Sequence, residues 1–406
     1  MASQVSPGVV IRERDLSTGV LVGVSGLRAG FASSFRSGPV GKITNIGSER
    51  ELINTFGAPA EANAADWLVA AEYLRYGGSL AVVRAATGVL NATLDGSAVL
   101  VGSKEDYDAG AGSSEKFVAR TAGSDGNNLH VVIVDKGPDF TIVKSGHGLS
   151  VGGTYTDDAA VGHEVVEVVD ANTVRIIQGT AAPTPAAGDT STAFSNSMWN
   201  ATTIGSTGLT YKEIGPRPGT SAFASERYIS YDEMHVAVID TSTNTVVERM
   251  TYLSKISDAK SPEGASIYWK NYVNEYSNYI YASALTSAEF TTLGSDPGAA
   301  VASYGATAAA PIKIARILKT AGGALSGGTD DYAYTTGEIS AAYTLFQDTE
   351  ETSLDFVIMG GSMGSEADTL VKAGAVAAVA NTRKDCIAFI SPCLLYTSDA
   401  ADESLC

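Results

Sequence analysis

Leu354-Asp355-Phe356-Val357-Ile358-Met359, then Glu366–Asn381, then Cys386-Ile387-Ala388-Phe389-Ile390-Ser391-Pro392 reads as a strand, an Ala/Val-rich helix and a second strand. Both read as buried strands. Two such strands linked by one helix make a right-handed parallel crossover, and this places the chain among α/β proteins. The same kind of run recurs far upstream, at Leu80-Ala81-Val82-Val83-Arg84. It follows a helix over about Ala62–Tyr76, whose Trp67, Leu68, Ala71 and Leu74 recur at helical spacing and which Gly77-Gly78 stops. Ser48 reads as the N-cap of a shorter helix, Glu49–Phe56, closed by Gly57. Gly19 to Phe35 reads as a buried strand and loop.

Between these ends the character changes. From about Thr87 to Gly219 the chain is rich in Gly, Thr, Ser and Ala, and helix signals vanish. Phe117–Arg120 and Leu129–Val134 read as strands around the turn cluster Gly123-Ser124-Asp125-Gly126-Asn127-Asn128. Thr141–Val143, Glu164–Val169 and Thr173–Ile177 read as a small all-β module, with Asp170-Ala171-Asn172 as a hairpin turn. A Pro/Ala/Thr-rich loop follows near Ala181–Thr192. Helix and strand alternation returns after about Ser225, with a strand at His235–Asp240. Pro262 suits a first helical turn, so a long Tyr-rich helix is expected over Gly264–Tyr281, and a further helix over Ile339–Gln347. The expected fold is an α/β (α+β) core domain with inserted all-β modules and an extended N-terminal arm. In residue terms the arm is 1–18, the first part of the core 19–87, and the β-rich insertion 88–224, with its small module at about 140–180. The rest of the core is 225–392.

The arm comes from Val9-Val10-Ile11-Arg12-Glu13-Arg14, a β-prone run after the turn Ser6-Pro7-Gly8. No hairpin turn follows to fold it back. A lone terminal strand carries unpaired N–H and C=O groups and needs the edge of some sheet. Where its own chain offers none, a neighbouring molecule supplies it, so Val9, Val10, Ile11, Arg12 and Glu13 are candidate inter-subunit residues.

A chain of 406 residues suggests about two to three domains. Its 44% hydrophobic and 18% charged residues fit a chain that forms a core. The net charge of −18 argues against a protein that grips nucleic acid. Cys386, Cys393 and Cys406 have no metal-site spacing and form no disulfide framework. The N-terminus lacks the pattern of a secretory signal, and no run of ~18 apolar residues spans a membrane. No cofactor or metal is expected.

Gly360-Gly361-Ser362-Met363-Gly364 matches the nucleophile elbow of α/β hydrolases and sits between a buried strand and a helix. That chemistry needs a base downstream of the serine. The four histidines, His130, His147, His163 and His235, all precede it. A small-residue turn is therefore the favoured reading of Ser362. Gly322–Thr329 suggests a phosphate loop but lacks its lysine, and Asp330-Asp331 follows, so a flexible loop is favoured. The acidic pairs Asp157-Asp158, Asp330-Asp331 and Glu350-Glu351 read as solvated surface charge. Tyr268, Tyr272, Tyr276, Tyr279 and Tyr281 read as packing or subunit-contact surface, not as a base-stacking platform.

Several stretches, in order, resemble the contractile tail sheath protein family of myoviruses. They are Ser6–Glu13, Arg36–Val40 with Glu51–Gly57, Leu74–Ala85, Gly123–Asn128, Leu253–Lys260, Leu325–Asp330 and Arg383–Pro392. The resemblance implies a structural subunit and no enzyme. It implies sheath hexamers stacked helically around a tail tube protein, tied by terminal arms that add strands to a neighbour's sheet. It implies partners at the baseplate and the tail terminator, no direct contact with nucleic acid and no membrane insertion. It also implies a place in the virion tail after synthesis in the host cytoplasm, and contraction as a rigid-body rearrangement. A pyocin-like or other contractile injection system is the alternative within the class. A Ser362 hydrolase and a non-contractile virion or adhesion protein are the alternatives outside it. Family members continue past the Ile390-Ser391-Pro392 stretch. From about Cys393 onward, Leu394–Glu403 looks like a translated sequencing adapter, so 393–406 is expected to be a non-native tail on a truncated fragment, which would then lack the edge that accepts the arm.

Overall fold

The structure, a computed structural model, describes residues 27–204, 207, 209–291, 294–318 and 321–391. The candidate arm, Val9 to Glu13, and the segment from Cys393 lie outside the described residues. The chain divides into two units, one of Met1–Phe35, Ile43–Ala85 and Thr335–Cys406, the other of Arg36–Lys42 and Ala86–Tyr334. The described fold mixes helices and sheets.

The first unit is built on a five-stranded sheet. Its order is Ile387–Phe389, Phe356–Ile358, Arg28–Ser33, Ser79–Arg84, Thr44–Ile46. The first four are parallel and the last antiparallel. Alternation along each strand gives the sheet two apolar faces. On one face Ala29, Phe31, Leu80 and Val82 pack with Leu52, Phe56, Trp67 and Leu74 from the helices Glu49–Phe56 and Ala64–Arg75. Fully burying such a side chain is worth roughly 1.5–3 kcal/mol. On the other face a Cβ on Gly30 would lie 3.0 Å from Leu354 and 3.3 Å from Phe346, so only glycine lets these side chains down onto the sheet. The Tyr343 hydroxyl, on the helix Thr336–Thr344, donates to the Ile358 carbonyl at 2.7 Å. Phe356–Ile358 and Ile387–Phe389 are joined by the helix Glu366–Arg383, the strand–helix–strand order read from the sequence.

Local signals set the helix ends. Ser48 Oγ accepts the Glu51 N–H and Gly57 takes φ 79°. Ser365 Oγ accepts the Asp368 N–H. Arg383 closes that helix by donating to the carbonyls of Phe346, Asp348 and Thr352, which fixes the connection before the next strand.

The second unit holds an antiparallel sheet of order Thr245–Ser254, Glu233–Asp240, Leu129–Val134, Gly323–Ala324. Residues from both sides of the 224/225 boundary thus share one sheet. One face packs Val131, Ile133, Val236 and Val238 against Phe117, Trp269 and Ile280. The other packs Val132, Val134, Ala237 and Ile239 against Trp199 and Tyr211. A further antiparallel sheet runs Thr190–Ala193, Phe140–Val143, Thr173–Ile177, Gly162–Asp170, Thr154–Thr156, with Ile142, Tyr155, Val165, Val174 and Ile176 inside. Asp170 pairs with Thr173, so Ala171 and Asn172 form its two-residue turn.

Three expectations change. The long helix over Gly264–Tyr281 is only Trp269–Tyr276. Gly264 has φ 88°, Ser266 and Tyr268 make β-bridges, and Ile280–Ala282 pairs with Phe117–Ala119, which takes both ends out of the helix. The stretch 87–219 contains short helices at Lys104–Asp108, Asn196–Ala201 and Tyr211–Ile214. Each is too short to show periodicity; the Ser103 and Ser195 side chains cap the first two, and the Glu213 carboxylate accepts from the Thr210 N–H at the start of the third. Gly322–Thr329 is not a free loop. Gly323 and Ala324 pair with Val131 and His130, Ser326 bridges to Thr93, and Asn127 binds both the N–H and the C=O of Gly328.

Candidate functional site

The turn carrying Ser362 follows the strand Phe356–Ile358 directly. Gly360 takes φ 74°, a left-handed conformation that L side chains rarely adopt. A Cβ there would lie 2.6 Å from Asp66 Oδ1 and 2.9 Å from the Phe31 ring. The close approach has a purpose. Asp66 accepts from the Gly361 N–H and from Ser33 Oγ at 2.5 Å. Lys372 Nζ donates to the Gly361 carbonyl at 2.9 Å and lies 3.5 Å from Asp66 Oδ2. Lys372 is fully buried, and that burial pushes its ammonium pKa down, while Asp66 pulls the other way.

This constellation holds a turn and offers no base to a nucleophile. Ser362 itself is exposed, and no hydrogen bond is made by its hydroxyl among the described residues. The histidines belong to the second unit, and three of them are otherwise engaged. His235 Nε2 lies 2.6 Å from the Pro216 carbonyl and its Nδ1 accepts the Tyr252 N–H, so it is held in one neutral tautomer, with its pKa lowered by burial. His163 bonds Asp157 at 3.3 Å, and His147 lies 2.9 Å from the Asp170 carbonyl. Asp66 and Lys372 were not among the residues singled out in the sequence. The signal was present, since Lys372 stands alone between Val371 and Ala373 in an apolar helix, and Asp66 abuts Trp67.

Glu350 and Glu351 are exposed, as expected of surface charge, whereas the other two acidic pairs hold structure. Asp157 is buried and accepts the N–H groups of Val161 and Thr184, and these with His163 pull its pKa down to about 2. Asp330 accepts from Ser124 N and Oγ, and Asp331 from the Gly88 N–H. The tyrosines split. Tyr268 and Tyr281 are buried, with Tyr281 stacked on Tyr107 at 4.3 Å, whereas Tyr276 is exposed beside Tyr272.

The sheet edge at Ile387–Phe389 is the feature of the first unit that faces outward with chemistry to offer. Among the described residues this strand pairs on one side only, with Phe356–Ile358. In-register pairing puts Ile387 and Phe389 on the same face as Phe356 and Ile358. Phe389 meets the Phe356 ring edge-on at 5.2 Å. Yet Ile387 and Phe389 stay 60% and 53% exposed, because the helices over that face reach only the inner strands. An open strand edge beside exposed apolar side chains is a template for strand addition.

No family model matches the chain. It is 27% identical over 331 residues to the tail sheath protein of Salmonella phage ViI, a match that takes in 70% of this chain and 50% of that protein. It is 37% identical over 90 residues to the tail sheath protein of Vibrio phage KVP40 and 36% identical over 80 residues to that of Enterobacteria phage T4, covering 13% and 12% of those proteins. The chain thus spans at most about half the length of the curated relatives it matches. Among solved structures, sheath tail proteins from Listeria innocua and Desulfitobacterium hafniense each align with a TM-score of 0.38 at 10% identity. These alignments cover 87% and 94% of this chain and 45% and 51% of those proteins. Tail sheath proteins are structural components of the virion tail and not enzymes. In sequence, the chain is thus similar to the tail sheath proteins of three phages.

Proposed function

We propose that the chain is the subunit of a contractile phage tail sheath, stacked as hexameric rings around the tail tube and contracting to drive the tube through the host envelope. The observation that carries this reading is the match to a phage tail sheath protein along 70% of the chain. The arm residues Val9 to Glu13 add as a strand to a neighbour's sheet and keep subunits connected while other contacts change. The apolar edge at Ile387–Phe389 supports such a mode of assembly, since among the described residues it pairs on one side only. In this reading 1–18 is the arm, 19–87 belongs to the core, and 88–224 is outward decoration whose sheet is completed by Glu233–Asp240 and Thr245–Ser254 of the 225–392 part. The baseplate and tail terminator bound the stack, and the subunit is made in the host cytoplasm.

Electron microscopy of the full-length gene product tests this. Striated hollow tubes are expected. Deleting residues 1–18 is expected to leave folded subunits that form none, and tubes that persist would refute strand donation. Hydrolysis of ester substrates that vanishes in Ser362→Ala would instead revive the hydrolase reading.

A further inference from the structure

A cavity of about 320 Å³ opens in the second unit beside Tyr231 and the strand Gly162–Asp170. Four cations line it, Lys136, Lys255, Lys313 and Arg316, against two carboxylates, Asp135 and Glu164. That concentration of positive charge stands out in a chain of net charge −18. Two of the cations are already committed. Lys255 Nζ lies 2.7 Å from Asp135 and 3.0 Å from the Ala315 carbonyl. Lys136 lies 2.6 Å from Asp139 and 3.8 Å above the Tyr231 ring.

Arg316 is different. It is 7% exposed, and its Nε has no hydrogen-bond partner among the described residues. The nearest carboxylate oxygen, Glu164 Oε1, is 3.6 Å away, beyond hydrogen-bond distance, and is itself unpartnered. A buried guanidinium nitrogen without a hydrogen bond, with only the 3.6 Å ion pair to Glu164 beside it, is costly unless something fills the adjoining space. Lys313 is exposed at the rim, its Nζ 3.4 Å from the Gly179 carbonyl and 5.6 Å from the Tyr231 ring, and adds a second cation within reach. We propose that this cavity binds a phosphate-class oxyanion, free or at the end of a small organic ligand, held by Arg316 and Lys313. Arginine's planar fork suits such an anion, and the Tyr231 ring forms an apolar wall for the remainder of a ligand. Burial raises the Glu164 carboxyl pKa, while Arg316 pulls it the other way.

Isothermal titration of the 406-residue chain with inorganic phosphate, and separately with phenyl phosphate, at fixed ionic strength in chloride, tests the site. Saturable one-to-one binding is expected, tighter for the ester if the organic part also occupies the cavity. Arg316→Met is expected to weaken binding about ten-fold or more. Lys313→Gln, at the rim, is expected to weaken it about two- to five-fold. Glu164→Gln removes the competing carboxylate and is expected to tighten binding, an effect that damage to the fold does not produce. No saturable binding of either ligand by the unaltered chain overturns the proposal. So does affinity unchanged in Lys313→Gln and Glu164→Gln, the pair that decides if Arg316→Met fails to fold. A chain that forms no tubes would still bind the anion, so the two readings fail separately.

Discussion

The buried link between Asp66 and Lys372 is the interaction on which the first unit's turn at Gly360-Gly361 depends. Lys372→Met keeps the apolar stem and removes the ammonium. It leaves Asp66 charged, with Ser33 Oγ and the Gly361 N–H still donating, and strips the Gly361 carbonyl of its lysine donor. Breaking one side of a buried pair costs about 3–5 kcal/mol. The retained donors to Asp66 and the 3.5 Å separation set the expectation at the lower end, about 3 kcal/mol. Asp66→Asn keeps the shape but leaves the lysine without its counter-charge, with an expected cost of similar size. The double variant removes both charges together. It is expected to cost about 1–3 kcal/mol less than the sum of the singles, the coupling typical of contacting partners. Hydrogen exchange of Phe356–Ile358 and Glu366–Arg383 along a urea series reads this locally, without mixing in the second unit. Single-variant losses that add to within about 0.5 kcal/mol would show that the two residues do not act together.

Other outcomes follow from the same geometry. Gly360→Ala combines a positive φ with a Cβ 2.6 Å from Asp66, and is expected to cost about 1–3 kcal/mol by the same exchange measurement. Phe389→Lys, at a site 53% exposed, is expected to change the thermal midpoint little while blocking tube formation by the full-length protein in electron micrographs. Acid is expected to loosen the sheet that holds Asp157. Its folded pKa lies near 2 against an ordinary 3.8, so its contribution is complete above the ordinary value and lost as pH falls through the folded one. Circular dichroism melts should therefore be flat from about pH 7 to 5 and fall between about pH 4 and 2, with Asp157→Asn showing a shallower decline.

The sequence by itself determined the local elements and the class. Apolar runs at Leu80–Val83 and Phe356–Met359 announced buried strands, because nothing polar interrupts either run. Caps at Ser48 and the turn at Ala171-Asn172 were legible because they act over three or four residues. The stretches from Ser6–Glu13 to Arg383–Pro392 carried the resemblance to tail sheath proteins, because they keep their order along most of the chain. Only the tertiary structure decided the partners. Asp66 and Gly361 are far apart in sequence, and no local pattern says that they meet. The pairing of Leu129–Val134 with Glu233–Asp240 is equally non-local, and Ile280–Ala282 left its expected helix because Phe117–Ala119 offered it a ladder. Tyr281 likewise became core and not surface once Tyr107 stacked on it. Short-range signals fix which structure a segment adopts where propensity dominates, but burial and pairing are settled by residues that only the fold brings together.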